Sequence, residues 1–125
     1  MLSPEQISTL QNDTVRLMFD KKTADMVVSE KIYQYIDQID ALLTQQPKLH
    51  LYIIGHTDEN DSAEKNYRLG MERAIMAQKW LEKMGINPQQ TLVFSEGEIK
   101  PIASNKTLEG QRLNRRVELV IKIMP

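Results

Sequence analysis

The apolar and polar positions of the chain divide it into short strands and amphipathic helices in alternation. Val15, Leu17 and Phe19 alternate with Arg16 and Met18, a two-residue period that predicts a strand covered on one face. Ahead of it, Ser3 and Pro4 suit a helix start, but apolar residues are scattered as far as Asn12, so residues 1–14 read as a lead-in or linker and 15–125 as one domain. After a polar Asp20-Lys21-Lys22-Thr23 loop, Ser29 can cap a helix. Its apolar stripe is Ile32, Tyr35, Ile36, Ile39, Leu42 and Leu43, and Gln45-Gln46-Pro47 ends it. Leu49, Leu51 and Ile53 alternate with His50 and Tyr52 in a second strand that ends at Gly55. A helix between these strands implies a βαβ unit whose strands pair in parallel through a right-handed crossover. Ligands of such sheets favour the crevice beyond the carboxyl ends of the strands, where Asp20 and Asp58 both fall.

The next helix starts at Asp61 or Ser62, with Glu64 placed to complete a capping box on Asp61. It stops at Gly85, with Pro88 following. At 100° per residue, Gly70, Ala74, Ala77, Trp80, Leu81 and Met84 share one side, and Asn66 and Arg73 fall on that same side. Thr91 to Phe94 reads as a third strand, Thr107 to Leu113 as a turn or two of helix, and Val117 to Ile123 as a last alternating strand. The class is α/β, with four strands and no internal repeat.

Composition changes this picture little. The 125 residues carry 41% hydrophobic and 26% charged residues, ordinary values for one globular domain. A net charge of −1 gives no global field that would draw nucleic acid or an anionic membrane. The chain has no cysteine, which excludes disulfides, thiolate metal sites and a cysteine nucleophile. No stretch approaches the roughly 20 apolar residues of a membrane span, and the first residues lack the pattern of a signal peptide. The chain therefore reads as cytosolic, or as a domain separated from its export signal.

The candidate chemistry centres on residues 51–84. A guanidinium on a buried helix face is costly unless paired, so Arg73 needs either a structural carboxylate or an anionic ligand. Asn66, two turns earlier on the same face, adds a donor and an acceptor, and the nearby helix N-terminus favours an anion. Asp58 is a solvated loop acid if read alone; across one crevice from Arg73 it becomes an anchor for an ammonium group. His56 has no partner at a spacing that suggests a nucleophile and its base, and reads as a hydrogen-bonding loop residue. Asp58, Asn60 and Asp61 resemble a calcium loop only superficially, because Ala63 and Leu69 stand where its glycine and terminal glutamate belong; no metal site is expected. Arg112, Arg115 and Arg116 form a basic cluster that is short and lacks interleaved aromatics, so no nucleic-acid partner is implied. Pairing with Glu96 or Glu98 is its structural alternative.

Taken in order, Gly55-His56-Thr57-Asp58, Asn66, Leu69-Gly70-Met71-Glu72-Arg73-Ala74, Gly97-Glu98 with Pro101, Asn105 and Asn114-Arg115-Arg116-Val117 resemble the OmpA-like peptidoglycan-binding domain. This family includes the OmpA C-terminal domain, the peptidoglycan-associated lipoprotein and flagellar motor protein B. The resemblance covers roughly 15–123. It implies a βαβαβ-type core with a mixed four-stranded sheet and helices mainly on one face. It implies a non-enzymatic, cofactor-free role, in which the domain grips the diaminopimelate of peptidoglycan stems and anchors an outer-membrane or envelope protein to the wall. By the family's pattern Asp58 and Arg73 hold the zwitterionic centre, Thr57, Asn66 and Leu69 match secondary contacts, and Arg115 a further one. The implied location is the periplasm, with membrane attachment only through an upstream region and a homodimer left open. The alternative is a scaffold domain of an envelope complex in which Asp58 and Arg73 form an internal ion pair. Four features depart from the family: no glycine follows Asp58 in the loop, Gly70 replaces a common serine, Gln111 stands where many members carry arginine, and Lys21-Lys22 replace the usual small polar residues beside the ligand.

Overall fold

A computed structural model describes residues 3–6, 14–20, 26–27 and 30–123. Strand β1 (Val15–Phe19) and the two-residue β2 (Met26–Val27) lead into helix α1 (Glu30–Gln45), strand β3 (Leu49–His56) and helix α2 (Ala63–Lys83). A 3-10 turn (Pro88–Gln90), strand β4 (Thr91–Gly97), helix α3 (Leu108–Asn114) and strand β5 (Arg116–Ile123) complete the order. The expected α/β architecture, with a mixed sheet carrying its helices mainly on one face, is present. Its four long strands are extended at one edge by the short β2.

The strand order is β2-β1-β5-β3-β4, and here one expectation is corrected. β1 and β3 run in the same direction but are not neighbours. β5 lies between them, antiparallel to both. The parallel neighbours joined through a helix are β3 and β4, connected by α2. Local alternation fixes which face of a strand is buried but not which distant strand pairs with it, so a C-terminal strand can insert without any signal near the first unit.

Alternation does set the core. Leu17, Phe19, Leu49, Leu51, Ile53, Val117, Leu119 and Ile121 point to one face and are buried. Against them pack Ile32, Ile36, Ile39, Leu42 and Leu43 from α1 and Ala74, Ala77 and Leu81 from α2. Within the two predicted stripes, Tyr35 and Trp80 are only partly buried and Met84 is exposed, while their stripe neighbours Ile36, Ala77 and Leu81 are buried. Ser62 caps α2 by accepting from the Lys65 amide at 3.2 Å; Asp61 instead accepts from the Ser62 amide. Ser3 and Gln6 exchange two hydrogen bonds at the first predicted helix start. The expected cap at Ser29 and the Lys21–Lys22 loop lie outside the described residues.

Two glycines decide how α2 meets the sheet. A Cβ on Gly55 would lie 1.7 Å from the Gly70 carbonyl oxygen, and one on Gly70 would lie 2.3 Å from the Ser95 hydroxyl. Backbone therefore rests on backbone where α2 crosses the end of β3. One turn later, this contact carries Arg73 beneath the loop that follows β3.

Candidate functional site at the carboxyl ends of β1 and β3

The site begins where β3 stops. The ladder between β3 and β4 shifts register at Gly55 and His56, and Gly97, with φ +52°, turns β4 toward the first turn of α2. The Thr57 amide donates to the Gly97 carbonyl at 2.9 Å, which holds the start of the loop in line with the sheet. Only then does the chain turn, so Asp58 is delivered at the sheet end rather than out in solvent. It is 5% exposed.

Asp58 is held from two sides. One carboxylate oxygen accepts from the Asn60 amide at 3.2 Å, and the other pairs with the Arg115 guanidinium at 3.2 Å. Arg115 sits between α3 and β5 and is anchored at its base: its Nε donates to the Phe19 carbonyl at 3.3 Å, and its own carbonyl accepts from the Phe19 amide at 3.1 Å. Its side chain keeps 13% exposure.

Arg73 points inward, as helix phase requires, and is 0% exposed. It donates to the His56 carbonyl at 3.1 Å and to the Asp20 carbonyl at 2.9 Å, and its guanidinium lies 5.6 Å from the centre of the Phe19 ring. It thereby ties the ends of β1 and β3 across the intervening β5. Burial lowers its pKa to about 10; the Asp58 charge opposes that shift and the Arg115 charge adds to it. Arg73 therefore stays charged at neutral pH and places positive potential behind Asp58.

In front of these charges lies a cleft of about 370 Å³ lined by Asp58, Asn60, Asp61, Lys65, Asn66, Arg68, Leu69 and Glu72. Of the residues expected at the site, Asp58, Asn66 and Leu69 line this cleft. Arg115 borders it through its pair with Asp58, and Arg73 lies deeper. Asn66 donates to the Asp61 carbonyl at 3.1 Å and to Glu98 at 3.3 Å. The Thr57 hydroxyl turns to the Asp58 carbonyl at 2.7 Å, so it shapes the loop. Sequence reasoning passed over Lys65, Arg68 and Glu72. With Leu69 they recur at i, i+3, i+4 and i+7, so a second stripe beside the buried one was the signal for them.

Two further expectations are corrected. His56 is not a loop hydrogen-bonder: it is the last residue of β3 and 2% exposed. Among the described residues neither ring nitrogen has a hydrogen-bond partner. Its Nε2 lies 3.5 Å from Glu118, close enough for an ion pair only if the ring is protonated. Burial lowers its pKa to about 4, the Arg116 charge adds to that, and Glu118 opposes it. The basic cluster does not pair with Glu96 or Glu98. Arg112 pairs with Glu109 at 3.4 Å, Arg115 with Asp58, and Arg116 with Glu118 at 2.9 Å.

The OmpA family model matches residues 18–115, a span that includes every residue lining the cleft as well as Arg73 and Arg115. The chain belongs to the OmpA family. Outer membrane protein A of Bordetella avium is 33% identical over 103 residues, covering 82% of this chain and 51% of that protein. The peptidoglycan-binding protein ArfA of Mycobacterium tuberculosis is 33% identical over 89 residues, covering 71% of this chain and 27% of the relative. The chain thus spans about half or less of these curated relatives. In the crystal structure of the peptidoglycan-associated lipoprotein from Burkholderia pseudomallei, the same fold covers 86% of this chain and 89% of that one, with TM-score 0.74 and 29% identity. The family makes this a binding domain rather than a catalytic one, and its relatives are proteins of the outer membrane and cell envelope. No helix among the described residues is long and apolar enough to cross a membrane.

Proposed function

We propose that the domain, residues 15–125, binds peptidoglycan non-covalently through the diaminopimelate of its peptide stems. In the full-length protein it would anchor an outer-membrane or envelope component to the wall from the periplasm. The observation that carries this reading is the arrangement at the sheet end. A nearly buried carboxylate, Asp58, faces a cleft, with the guanidinium of Arg115 against it and that of Arg73 behind. A carboxylate next to cationic forks is the complement of an amino-acid centre, which carries an ammonium and a carboxylate on one carbon.

In this reading Asp58 takes the ammonium, and Arg73 and Arg115 supply the charge for the carboxylate. Asn66 offers its amide from the wall, Leu69 covers the aliphatic part of the ligand, and Thr57 keeps the loop in shape. ArfA, which is named for peptidoglycan binding, supports the ligand class. Each charged hydrogen bond is worth about 1.5–3 kcal/mol, so one stem binds modestly and a wall with many stems retains the protein by avidity.

The test is an amide NMR titration of the isotopically labelled domain with meso-diaminopimelate. Saturable shifts confined to 56–61, 65–73 and the neighbourhood of Arg115 are expected. A folded protein whose spectrum does not move at millimolar ligand contradicts the proposal.

A further inference from the structure

We infer that Arg115 is a built-in stand-in for the ligand's ammonium, and that it makes the cleft select amino-acid zwitterions over simple amines. This rests on the proposed reading of the cleft and extends it to how the site discriminates.

The argument starts from the cost of leaving Asp58 alone. A carboxylate 5% exposed cannot shed its charge partner cheaply. In the structure that partner is the terminal nitrogen of Arg115, 3.2 Å from one carboxylate oxygen. The Asn60 amide supplies the other contact to the carboxylate. A ligand ammonium that reaches for Asp58 therefore competes with Arg115 for the same oxygen.

Displacement creates a second problem, on the arginine. Its base is fixed by the Nε bond to the Phe19 carbonyl and by the backbone bond between the two residues. Because Nε belongs to the planar guanidinium, that bond keeps the fork beside Asp58. With 13% exposure it would remain as a partly buried cation with no counter-charge, beside the charge of Arg73. An amine gives nothing back for this. An amino-acid centre does, because its carboxylate lies one carbon from its ammonium and can take the fork that Asp58 releases. The internal pair is thereby exchanged for two external ones, and neither buried charge is left uncompensated.

The probes are meso-diaminopimelate and cadaverine, which is the same carbon chain without the two carboxylates. Calorimetry on the wild type should show diaminopimelate binding at least roughly 100-fold tighter than cadaverine, about 2.7 kcal/mol and within the range of one charged contact. Arg115→Gln removes the competitor for Asp58 and also the carboxylate's fork. Cadaverine should then bind at least about tenfold tighter than it does to wild type, and diaminopimelate about tenfold weaker. An Arg115→Gln protein that binds diaminopimelate with the wild-type preference over cadaverine overturns the inference and leaves the proposed function standing. Loss of diaminopimelate binding by folded wild type overturns both.

A measurement on the unmutated protein keeps the test decisive if the variant folds poorly. The Arg115 Nε–H resonance should move on addition of diaminopimelate and stay put with cadaverine. Shifts around Asp58 with a stationary Arg115 resonance would refute the exchange.

Discussion

Asp58 and Arg73 are both buried charges, yet they are held in different ways, and substitution should separate them. Arg73 has no exposed surface and secures two backbone carbonyls, of His56 at the end of β3 and of Asp20 just after β1. Arg73→Ala should therefore cost about 3–5 kcal/mol of folding stability, measured by urea denaturation. Asp58 lies at the start of the loop after β3 and pairs with the half-anchored Arg115. Asp58→Asn should cost only about 1–3 kcal/mol while weakening diaminopimelate binding by at least roughly tenfold, as read by calorimetry on the folded protein. His56 gives a third expectation. Its folded pKa, about 4, lies below the ordinary 6.5, so the unfolded chain binds more protons between these values, and stability falls as pH drops from 6.5 toward 4. Glu118 adds a loss below that window: burial pushes its carboxyl up, but the Arg116 hydrogen bond and charge outweigh this and hold it below 4.5. His56→Leu should flatten the limb between pH 6.5 and 4 and leave the more acid one, as followed by thermal melts across pH. At this scale the sequence revealed direction but not partnership. Helix phase put Arg73 inside, whereas the pair between Asp58 and Arg115 spans 57 positions and no local pattern encodes it. His56 was misread because β3 runs past Gly55, and the extra residue turns the imidazole onto the sheet face opposite the helices.

The elements were legible because each carries its own period and stop signals, and Gly85 with Pro88 ended α2 within a residue or two of its observed end. Strand adjacency was not legible. β5 reaches its place between β1 and β3 through pairings such as Val15 with Leu119 and Leu51 with Ile121, which depend on the whole sheet. The contact that matters most between elements is Gly55 on Gly70. Gly55→Ala places a methyl group 1.7 Å from the Gly70 carbonyl oxygen, so α2 must move off the strand. The expected loss is at least about 1–3 kcal/mol, seen as a lower urea midpoint. Because Arg73, Asn66 and Leu69 ride on α2, diaminopimelate affinity should fall as well. An unchanged midpoint would mean that the helix does not rest on the sheet as described.

At the scale of the molecule, the domain keeps its core on one side of the sheet and its cleft at one end, where residues from β1, β3, α2 and the α3–β5 junction converge. Such a site suits a ligand displayed many times on a polymer, since modest contacts become firm retention when several engage together. The measurement closest to the central claim is co-sedimentation with purified sacculi that contain diaminopimelate. Folded wild-type protein should pellet with the sacculi and be released by excess free diaminopimelate, and folded Asp58→Asn should stay in the supernatant. Wild type that remains soluble beside intact sacculi, or an Asp58→Asn variant that pellets as well as wild type, would contradict the account.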